Sequence, residues 1–361
     1  MLPIETRLKE QARALGFDLV GIAPAANADG FAHLRDWLDQ GFAGEMDYMV
    51  RHAEARRHPK SILPDVRTVV MVGINYKNQG SGVRDQESGG ERQVPAVGNA
   101  PGFEGRVSSY AAGRDYHDVV REKLKKLLEW VQREVPGARG RGVVDTTPLL
   151  ERDFARRAGL GWFGKNTMLL NKRLGSFFFL GALLLDLELS SDDPFEASHC
   201  GTCTRCLDAC PTDAFAGPFQ LDSRRCISYL TIELRGPIPD ELRPAIGEWA
   251  FGCDICQDVC PWNRKAPFGR DPELQPTDGT LHLQLLEILE LSDEEFRRRF
   301  GGTALWRTRR AGLLRNAAIV LGNVADERAL PALERALNDV PLVREAAQWA
   351  IAQIRARSRA K

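Results

Sequence analysis

The segment HCGTCTRCLDACPTDAF, residues 199–215, decides the fold of the middle of this chain. It contains the run Cys-x2-Cys-x2-Cys-x3-Cys-Pro, followed by one isolated cysteine and then by Cys-x2-Cys-x3-Cys-Pro. Three cysteines two residues apart let one tight loop surround a [4Fe–4S] cubane, and the fourth, before proline, normally binds the other cluster of a two-cluster fold. The spacing therefore predicts two clusters, the first bound by Cys200, Cys203, Cys206 and Cys260, and the second bound by Cys210, Cys226, Cys253 and Cys256.

Two other uses of these cysteines fit the pattern less well. Disulfide frameworks are typical of small secreted domains, whereas this chain has 361 residues and begins MLPIETRLKE, where we expect no signal segment. A pair of zinc sites would also take four thiolates each. Zinc, however, explains neither the third two-residue step nor the two Cys-Pro endings.

The composition is that of an ordinary soluble protein, with 43% hydrophobic and 27% charged residues. The longest apolar run, residues 177–185, is shorter than the roughly 20 residues of a membrane span. We therefore expect a cytoplasmic protein without membrane contact. The 49 basic and 49 acidic residues cancel on average, yet residues 297–315 contain seven arginines and no acid.

Helical and strand patterns alternate over the first 190 residues and predict an α+β chain. The predicted helices cover 3–15, 31–39, 115–134 and 148–158, and the predicted strands cover 18–23, 68–75, 142–145, 168–170 and 176–187. Residues 1–190 are expected to form an α/β domain with a central sheet, and residues 191–265 a bacterial-ferredoxin-like cluster domain. The glycine-rich stretch 77–105 is predicted to be a loop or a lid.

The C-terminal part of the chain contains an internal repeat. The sequence LRNAA at 314–318 recurs as VREAA at 343–347, with a predicted helix at 327–338 between them. This pattern is typical of HEAT-like helical hairpins. Two units are too few for a solenoid, so residues 280–361 are expected to form an all-α HEAT-like module that packs on the rest of the protein.

The densest polar grouping is VVDTTPLLERDFARRAGLGWFGKN, residues 143–166. Asp145 stands at a predicted strand end, where side chains emerge into a cleft. Lys165 and Asn166 follow a glycine-rich turn that lets the backbone approach a ligand closely. The alternative is that Asp145 caps the following helix and that Lys165 is a solvated loop residue.

Iron–sulfur clusters pass electrons singly, so a second cofactor is expected in the first domain. No GxGxxG lies between a predicted strand and helix, and no Walker-type loop is present. The sequence therefore does not support a nicotinamide or nucleotide cofactor.

Several blocks of the sequence together resemble the epoxyqueuosine reductase family. They are GRDYH at 113–117, DTTPLLERDFARRAGLGWFGKNTMLL at 145–170, GSFFFLG at 175–181, the cysteine segment at 199–215, RCISYLTIE at 225–233 and FGCDICQDVCPWN at 251–263. The resemblance implies a cobalamin held base-off between the first domain and the clusters, in a corrinoid core similar to that of reductive dehalogenases. It also implies the reduction of epoxyqueuosine to queuosine at the wobble position of tRNA, with the ring oxygen leaving as water.

The resemblance also implies roles for individual residues. Asp145 takes the place of the proton donor, provided that burial keeps its carboxyl protonated at neutral pH. Asp115-x-His117 is superficially similar to the cobalt-binding DxHxxG motif, but Val120 stands where that motif has glycine, so we expect His117 to be a structural or supporting histidine. His199 is predicted to tune a cluster. Corrinoid contacts are implied at Arg56, Lys165, Asn166, Gly175, Ser176, Ser228, Tyr229 and Asp254.

The implied substrate requires a surface that binds a tRNA anticodon loop, in the tRNAs that decode Asn, Asp, His and Tyr. Single-stranded loops are bound through phosphate contacts and base stacking, so Arg307, Arg309 and Arg310, with Trp306 among them, are predicted to contact tRNA. The alternative is that these arginines solvate helix faces. An external one-electron donor such as a flavodoxin or ferredoxin, and a monomeric state, are also expected.

Three other functions are considered. They are a corrinoid iron–sulfur oxidoreductase similar to reductive dehalogenases that acts on a small molecule, a plain electron-transfer protein, and a non-catalytic tRNA-binding protein with structural clusters.

Overall fold

The computed structural model describes residues 2–79, 103–277 and 279–359. Most of the predicted glycine-rich loop or lid therefore lies outside the described residues. The strands are β1 (Leu19–Pro24), β2 (Thr68–Asn75), β3 (Glu104–Val107), β4 (Gly140–Val143), β5 (Trp162–Phe163), β6 (Leu169–Leu170), β7 (Phe178–Leu185), β8 (Phe215–Gly217), β9 (Gln220–Leu221), β10 (Trp249–Phe251) and β11 (His282–Gln284). The helices are α1 (Ile4–Ala14), α2 (Phe31–Asp39), α3 (Asp47–Arg51), α4 (Tyr116–Glu134), α5 (Glu151–Arg157), α6 (Arg205–Asp208), α7 (Ile227–Ile232), α8 (Arg243–Ile246), α9 (Ile255–Asp258), α10 (Pro261–Arg264), α11 (Leu285–Leu289), α12 (Asp293–Phe300), α13 (Arg309–Val324), α14 (Leu330–Ala336) and α15 (Pro341–Arg359).

A four-stranded antiparallel sheet forms the centre of the first domain, in the order β1-β2-β7-β4. Every residue of β2 is buried, as expected where helices cover both faces of a sheet. Val70 and Val72 pack with α1 and α4 on one face, and Val69 and Met71 pack with α5 on the other. The predicted mixed α/β fold is therefore confirmed for this part of the chain.

Two predicted boundaries next to the candidate site are corrected. The strand expected to reach Asp145 ends at Val143, and the helix expected from Pro148 begins at Glu151. Between them the backbone of Asp145 is left-handed, with φ of +45°, a conformation that β-strands and α-helices do not contain. Leu150 holds the N-cap position of α5. The structure therefore excludes the alternative that Asp145 caps this helix.

A second sheet joins distant parts of the chain, because β3 pairs with β10 on one side and with β11 on the other. One hydrophobic core continues from Val107 and Phe251 to Ile354 near the end of α15. At its centre, the fully buried Arg315 of α13 donates to the carbonyl oxygens of Leu230 and Gly236 at 2.7 Å each. The C-terminal helices thus pack on the cluster domain, while their HEAT-like character stays a prediction.

Within residues 2–79, 103–277 and 279–359, no helix combines the length and the apolar character that crossing a bilayer requires.

Candidate active site and cluster sites

The eight cysteines form two groups in space. Burial and the neighbouring Cys260, Cys200 and Cys203 raise the pKa of Cys206 to about 11. In the second group, burial and the neighbouring Cys226 raise the pKa of Cys256 well above its ordinary value. These neighbours match the ligand sets that the spacing predicts, but Cys206 also influences the pKa of Cys256, so the two groups adjoin and the assignment of individual ligands stays a prediction. Cysteines bind iron as thiolates, so a cluster would have to displace the protons that burial stabilises on Cys206 and Cys256.

The first group surrounds a cavity of about 280 Å³, which Lys165, His199 and Trp262 also line. Nε2 of His199 is buried and has no hydrogen-bond partner among the described residues. A bound cluster offers sulfur acceptors to such a group. The residues present therefore fit an iron–sulfur cluster. Nε2 is the atom through which His199 would tune that cluster, as predicted.

The second group lies deeper in the protein than the first. Cys226 accepts hydrogen bonds at its sulfur from the backbone of Tyr229 and from both the backbone and the hydroxyl of Ser228. The first group, in contrast, lies on a loop whose residues Gly201 and Arg205 are exposed. The first set is therefore the outer one. Ser228 and Tyr229 lie beside a cysteine of the inner set, and their contact with the corrinoid stays a prediction.

Asp145 is the centre of a compact polar group between the first domain and the C-terminal module. Its Oδ2 atom accepts hydrogen bonds from the Tyr116 hydroxyl at 2.9 Å, from Nε2 of His117 at 3.0 Å and from the Arg307 guanidinium at 3.0 Å. The other ring nitrogen of His117 lies 2.7 Å from Oδ1 of Asp115. Helix α4 provides two of these donors. The third, Arg307, is 162 residues from Asp145 in the sequence, so distant parts of the chain meet at one carboxylate.

These contacts determine the charge of the site. Burial alone would raise the pKa of Asp145, but the hydrogen bond from His117 and the positive charge of Arg307 outweigh it, so this pKa lies well below its ordinary value. Burial alone would lower the pKa of His117, but its bonds to Asp115 and Asp145 raise it. The condition that burial keeps Asp145 protonated is therefore not met in this conformation, and its role as proton donor stays a prediction. The site instead pairs an aspartate anion with a histidine that favours its charged form.

Glu151 supports Asp145 through the backbone, because its Oε1 atom accepts a hydrogen bond of 2.7 Å from the Asp145 amide. Burial, followed by the charge of Asp145, raises the pKa of Glu151 to about 8. Its carboxyl group therefore keeps its proton at neutral pH. The sequence analysis did not single out Glu151. The sign that could have identified it is an acidic residue in the first turn of α5, the helix that follows Asp145.

The polar group around Asp145 is partly exposed to solvent, and we call this partly exposed region the recess. Burial is the largest influence on the pKa values of Asp145, Glu151 and Arg152, yet the Asp145 side chain is 42% exposed. These side chains are therefore partly shielded from water without being enclosed. Arg56 and Tyr48 belong to the recess as well, because the charge of Asp145 influences the pKa of each.

Several residues predicted to contact the corrinoid lie behind the wall of this recess. Ser176 is 1% exposed, and its hydroxyl and amide are bonded to Gln257 and Asn263. Gly175, with φ of +66°, packs against the same Asn263. Asp254 is buried and accepts hydrogen bonds from the Ser108 hydroxyl and the Ser109 amide. These residues join the cluster helices to the first domain, and their contact with the corrinoid stays a prediction.

Lys165 and Asn166 contact cluster-binding loops instead. The Lys165 amine donates to the carbonyl oxygens of Gly201 and Cys203, and the Asn166 amide donates to the carbonyl oxygen of Cys256. The alternative that Lys165 is a solvated loop residue is therefore excluded.

The structure separates the arginines that were predicted to bind RNA. Arg307 lies in the candidate active site, and Arg309 is exposed two residues later. Arg310 forms a bidentate ion pair with Asp339, in which one N···O distance is 3.0 Å. Arg315 is fully buried. The ion pair assigns Arg310 to the packing of the helical module rather than to RNA.

Comparison with known proteins gives two family matches. Residues 56–146 match the family described as "Epoxyqueuosine reductase QueG, DUF1730". Residues 199–263 match the "4Fe-4S double cluster binding domain", so this part of the chain binds two [4Fe–4S] clusters.

Whole-chain relatives agree with these matches. The epoxyqueuosine reductase of Pseudomonas aeruginosa is 43% identical over 348 residues, which cover 95% of this chain and 92% of that protein. A crystal structure of an epoxyqueuosine reductase with an epoxyqueuosine-modified tRNA-Tyr stem loop superposes with a TM-score of 0.85 at 33% identity, covering 97% of this chain and 90% of the other. A Bacillus subtilis epoxyqueuosine reductase, whose aspartate catalytic loop is swung out of its active site, superposes with a TM-score of 0.84 at 32% identity, with the same coverage of 97% and 90%.

Proposed function

The chain belongs to the epoxyqueuosine reductase family, and from this premise we propose that it reduces the epoxide of epoxyqueuosine to the alkene of queuosine at the wobble position of tRNA. The balanced reaction consumes two electrons and two protons and releases the ring oxygen as water. The observation that carries the proposal is the polar group in which the Asp145 carboxylate accepts hydrogen bonds from His117, Tyr116 and Arg307.

We infer that cobalamin is the cofactor of this recess. When bound, it would supply a strongly reducing cobalt centre next to the substrate. The family resemblance implies this group, and the recess offers it polar walls from Arg56, Tyr48 and Arg152, which are provided by separate parts of the first domain. Two clusters fit the same chemistry, because an external donor delivers electrons one at a time and the reaction consumes two.

The chain's own residues would manage the protons. An oxygen that leaves as water must be protonated, and Asp145 is ionised in this conformation. We infer that His117, whose pKa is raised, holds the proton and passes it through Asp145 across their 3.0 Å hydrogen bond. Such a pair titrates as one unit. Arg307 would hold the Asp145 carboxylate in place between turnovers.

The tRNA substrate is supported by the solved relative that carries a tRNA stem loop. Arg309 is exposed two residues after Arg307, and we infer that its guanidinium binds a phosphate of the tRNA. The accepted tRNAs, the electron donor and the monomeric state remain part of the proposal.

A nucleoside mass measurement tests the proposed reaction. The anaerobically reconstituted protein is incubated with cobalamin, a strong one-electron reductant and epoxyqueuosine-containing tRNA, which is then digested and weighed as nucleosides. We expect the modified nucleoside to lose the mass of one oxygen only when cobalamin is present. An unchanged mass, with clusters and corrinoid both shown to be bound and reducible, would exclude the tRNA substrate.

A further inference from the structure

A short turn between β5 and β6 places two adjacent side chains on the two cluster-binding loops. The turn is closed by a hydrogen bond of 2.8 Å from the Gly164 amide to the Met168 carbonyl oxygen. Lys165 extends from it to the outer loop, where its amine lies 2.8 Å from the Gly201 carbonyl oxygen and 3.0 Å from that of Cys203. Gly201 lies between two cysteines of the first ligand set, and the other carbonyl group belongs to Cys203 itself.

Asn166 makes the corresponding contact with the inner loop. Its Nδ2 atom donates to the carbonyl oxygen of Cys256 at 3.2 Å, and its Oδ1 atom accepts from the Met168 amide at 3.3 Å. The side chain is only 3% exposed. Two neighbours in sequence therefore touch one ligand loop each, and they differ in charge: an ammonium contacts the outer loop and a neutral amide contacts the inner loop.

The difference in charge has a direct consequence for electron transfer. Reduction adds one negative charge to a cluster, so a cation held nearby favours the reduced form, and the reduction potential rises. A neutral amide contributes a dipole but no net charge. Lys165 also lines the 280 Å³ cavity that the first set of cysteines surrounds, so its charge acts on the outer cluster at close range.

We propose that Lys165 raises the reduction potential of the outer cluster relative to that of the inner cluster, so that single electrons from an external donor collect first at the outer cluster. Lys165 is thus a positioning and tuning residue that acts through the ligand loop. The inference goes beyond the proposed reaction and rests only on the two cysteine ligand sets. It also gives Lys165, expected from the family resemblance to line the corrinoid, a role in the electron path.

A redox titration of the full chain tests this role. The clusters are reconstituted anaerobically, without cobalamin or tRNA, and each is followed by electron paramagnetic resonance. A Cys200→Ser variant identifies the signal of the outer cluster, because it removes one of the ligands assigned to that cluster. In Lys165→Gln, which keeps hydrogen-bond donors but loses the charge, we expect the equilibrium constant for reducing the outer cluster to fall about three- to tenfold. A tenfold fall corresponds to about 59 mV for one electron.

Three further variants make the result decisive. Lys165→Arg keeps the charge and should keep the potential, whereas Lys165→Met, a second neutral variant, should lower it as Lys165→Gln does. Lys172→Gln is the matched control, since the exposed Lys172 lies over the Phe195 ring at 5.8 Å and not on a ligand loop. Its outer-cluster potential should stay at the wild-type value.

Two outcomes overturn the proposal. One is a wild-type outer-cluster potential in both neutral variants at full iron content. The other is an equal shift in Lys172→Gln, which would make the effect one of general surface charge. Because the titration contains neither corrinoid nor tRNA, its failure is distinguishable from a failure of the proposed reaction.

Discussion

At the scale of single residues, the candidate active site depends on one carboxylate held by three donors. Tyr116 and His117 are neighbours at the start of α4, and Arg307 comes from a turn before α13. Three donors on one oxygen outweigh the effect of burial and keep Asp145 ionised. We therefore infer that the His117–Asp145 pair delivers the proton, because the pKa of His117 is raised.

Replacing this carboxylate tests the pair. In Asp145→Asn, His117 and Arg307 lose their shared negative partner, so His117 no longer favours its charged form and no carboxylate carries the proton to the leaving oxygen. We expect turnover to fall at least about 100-fold, as is typical for loss of general acid catalysis, with both clusters retained. Single-turnover formation of queuosine, together with iron content, measures this. Asp118→Asn, an exposed change on the same helix, should remain active, and full activity of Asp145→Asn would remove its assigned role.

The pH dependence of turnover should report on Glu151. Its pKa of about 8 means that the carboxyl is neutral below that pH and ionises above it, which places a second negative charge next to Asp145. Arg152 and His117 also face Glu151 and partly offset this charge. We expect kcat/KM to fall as pH rises through about 8 in the wild type, and to stay level over that range in Glu151→Gln, which keeps an acceptor for the Asp145 amide.

The comparison of the two pH profiles is decisive for Glu151. A decline of the same shape in both proteins would show that another group, such as His117, titrates in this range.

At the scale of secondary-structure elements, the join between β7 and the cluster helices α9 and α10 is closed by small and polar groups. Gly175 precedes β7 with φ of +66°, and the side chain of Asn263 fills the space beside it. Asn263 in turn bonds Ser176 and the Gln257 carbonyl oxygen. The cluster helices are therefore positioned against the first domain by a contact that tolerates no extra atom.

Two alanine substitutions separate backbone strain from this close contact. Gly137 and Gly175 both have positive φ, at +89° and +66°, but a Cβ at Gly137 meets nothing within 4 Å, whereas at Gly175 it would lie 1.9 Å from Asn263 Oδ1. We expect Gly137→Ala to lower the free energy of unfolding by about 1 kcal/mol from strain alone. Gly175→Ala should lower it by about 2–4 kcal/mol, since overpacking adds to strain, and should lose iron on storage. Denaturant unfolding and iron content provide the measurements, and equal effects at both positions would contradict the proposed close contact.

At the scale of the whole molecule, sequence patterns predicted where helices and strands occur. They did not predict the tertiary contacts between these elements. A continuous apolar run predicted β2, and an amphipathic pattern predicted α2, at the residues observed. Both patterns depend only on residues that are close together in the sequence. Cysteine spacing likewise predicted the two ligand groups. The surroundings of Asp145 could not be predicted, since Arg307 is 162 residues away. The arginine run was treated as one surface, whereas the fold distributes it among an active site, an ion pair and a buried core.

That distribution predicts which arginine serves RNA binding. Arg309 is exposed next to the recess, whereas Arg310 is paired with Asp339. Arg309→Ala should therefore weaken tRNA binding and reduce the slope of log K against log salt by about one, the amount expected for one lost phosphate contact. Arg310→Ala should lower thermal stability while leaving that slope unchanged, because its ion pair joins two helical segments of the protein. Filter binding over a range of salt concentrations, combined with thermal unfolding, separates the two effects. An unchanged slope for Arg309→Ala would assign this arginine to a solvated helix end, and the phosphate contacts would then have to come from another face of the recess.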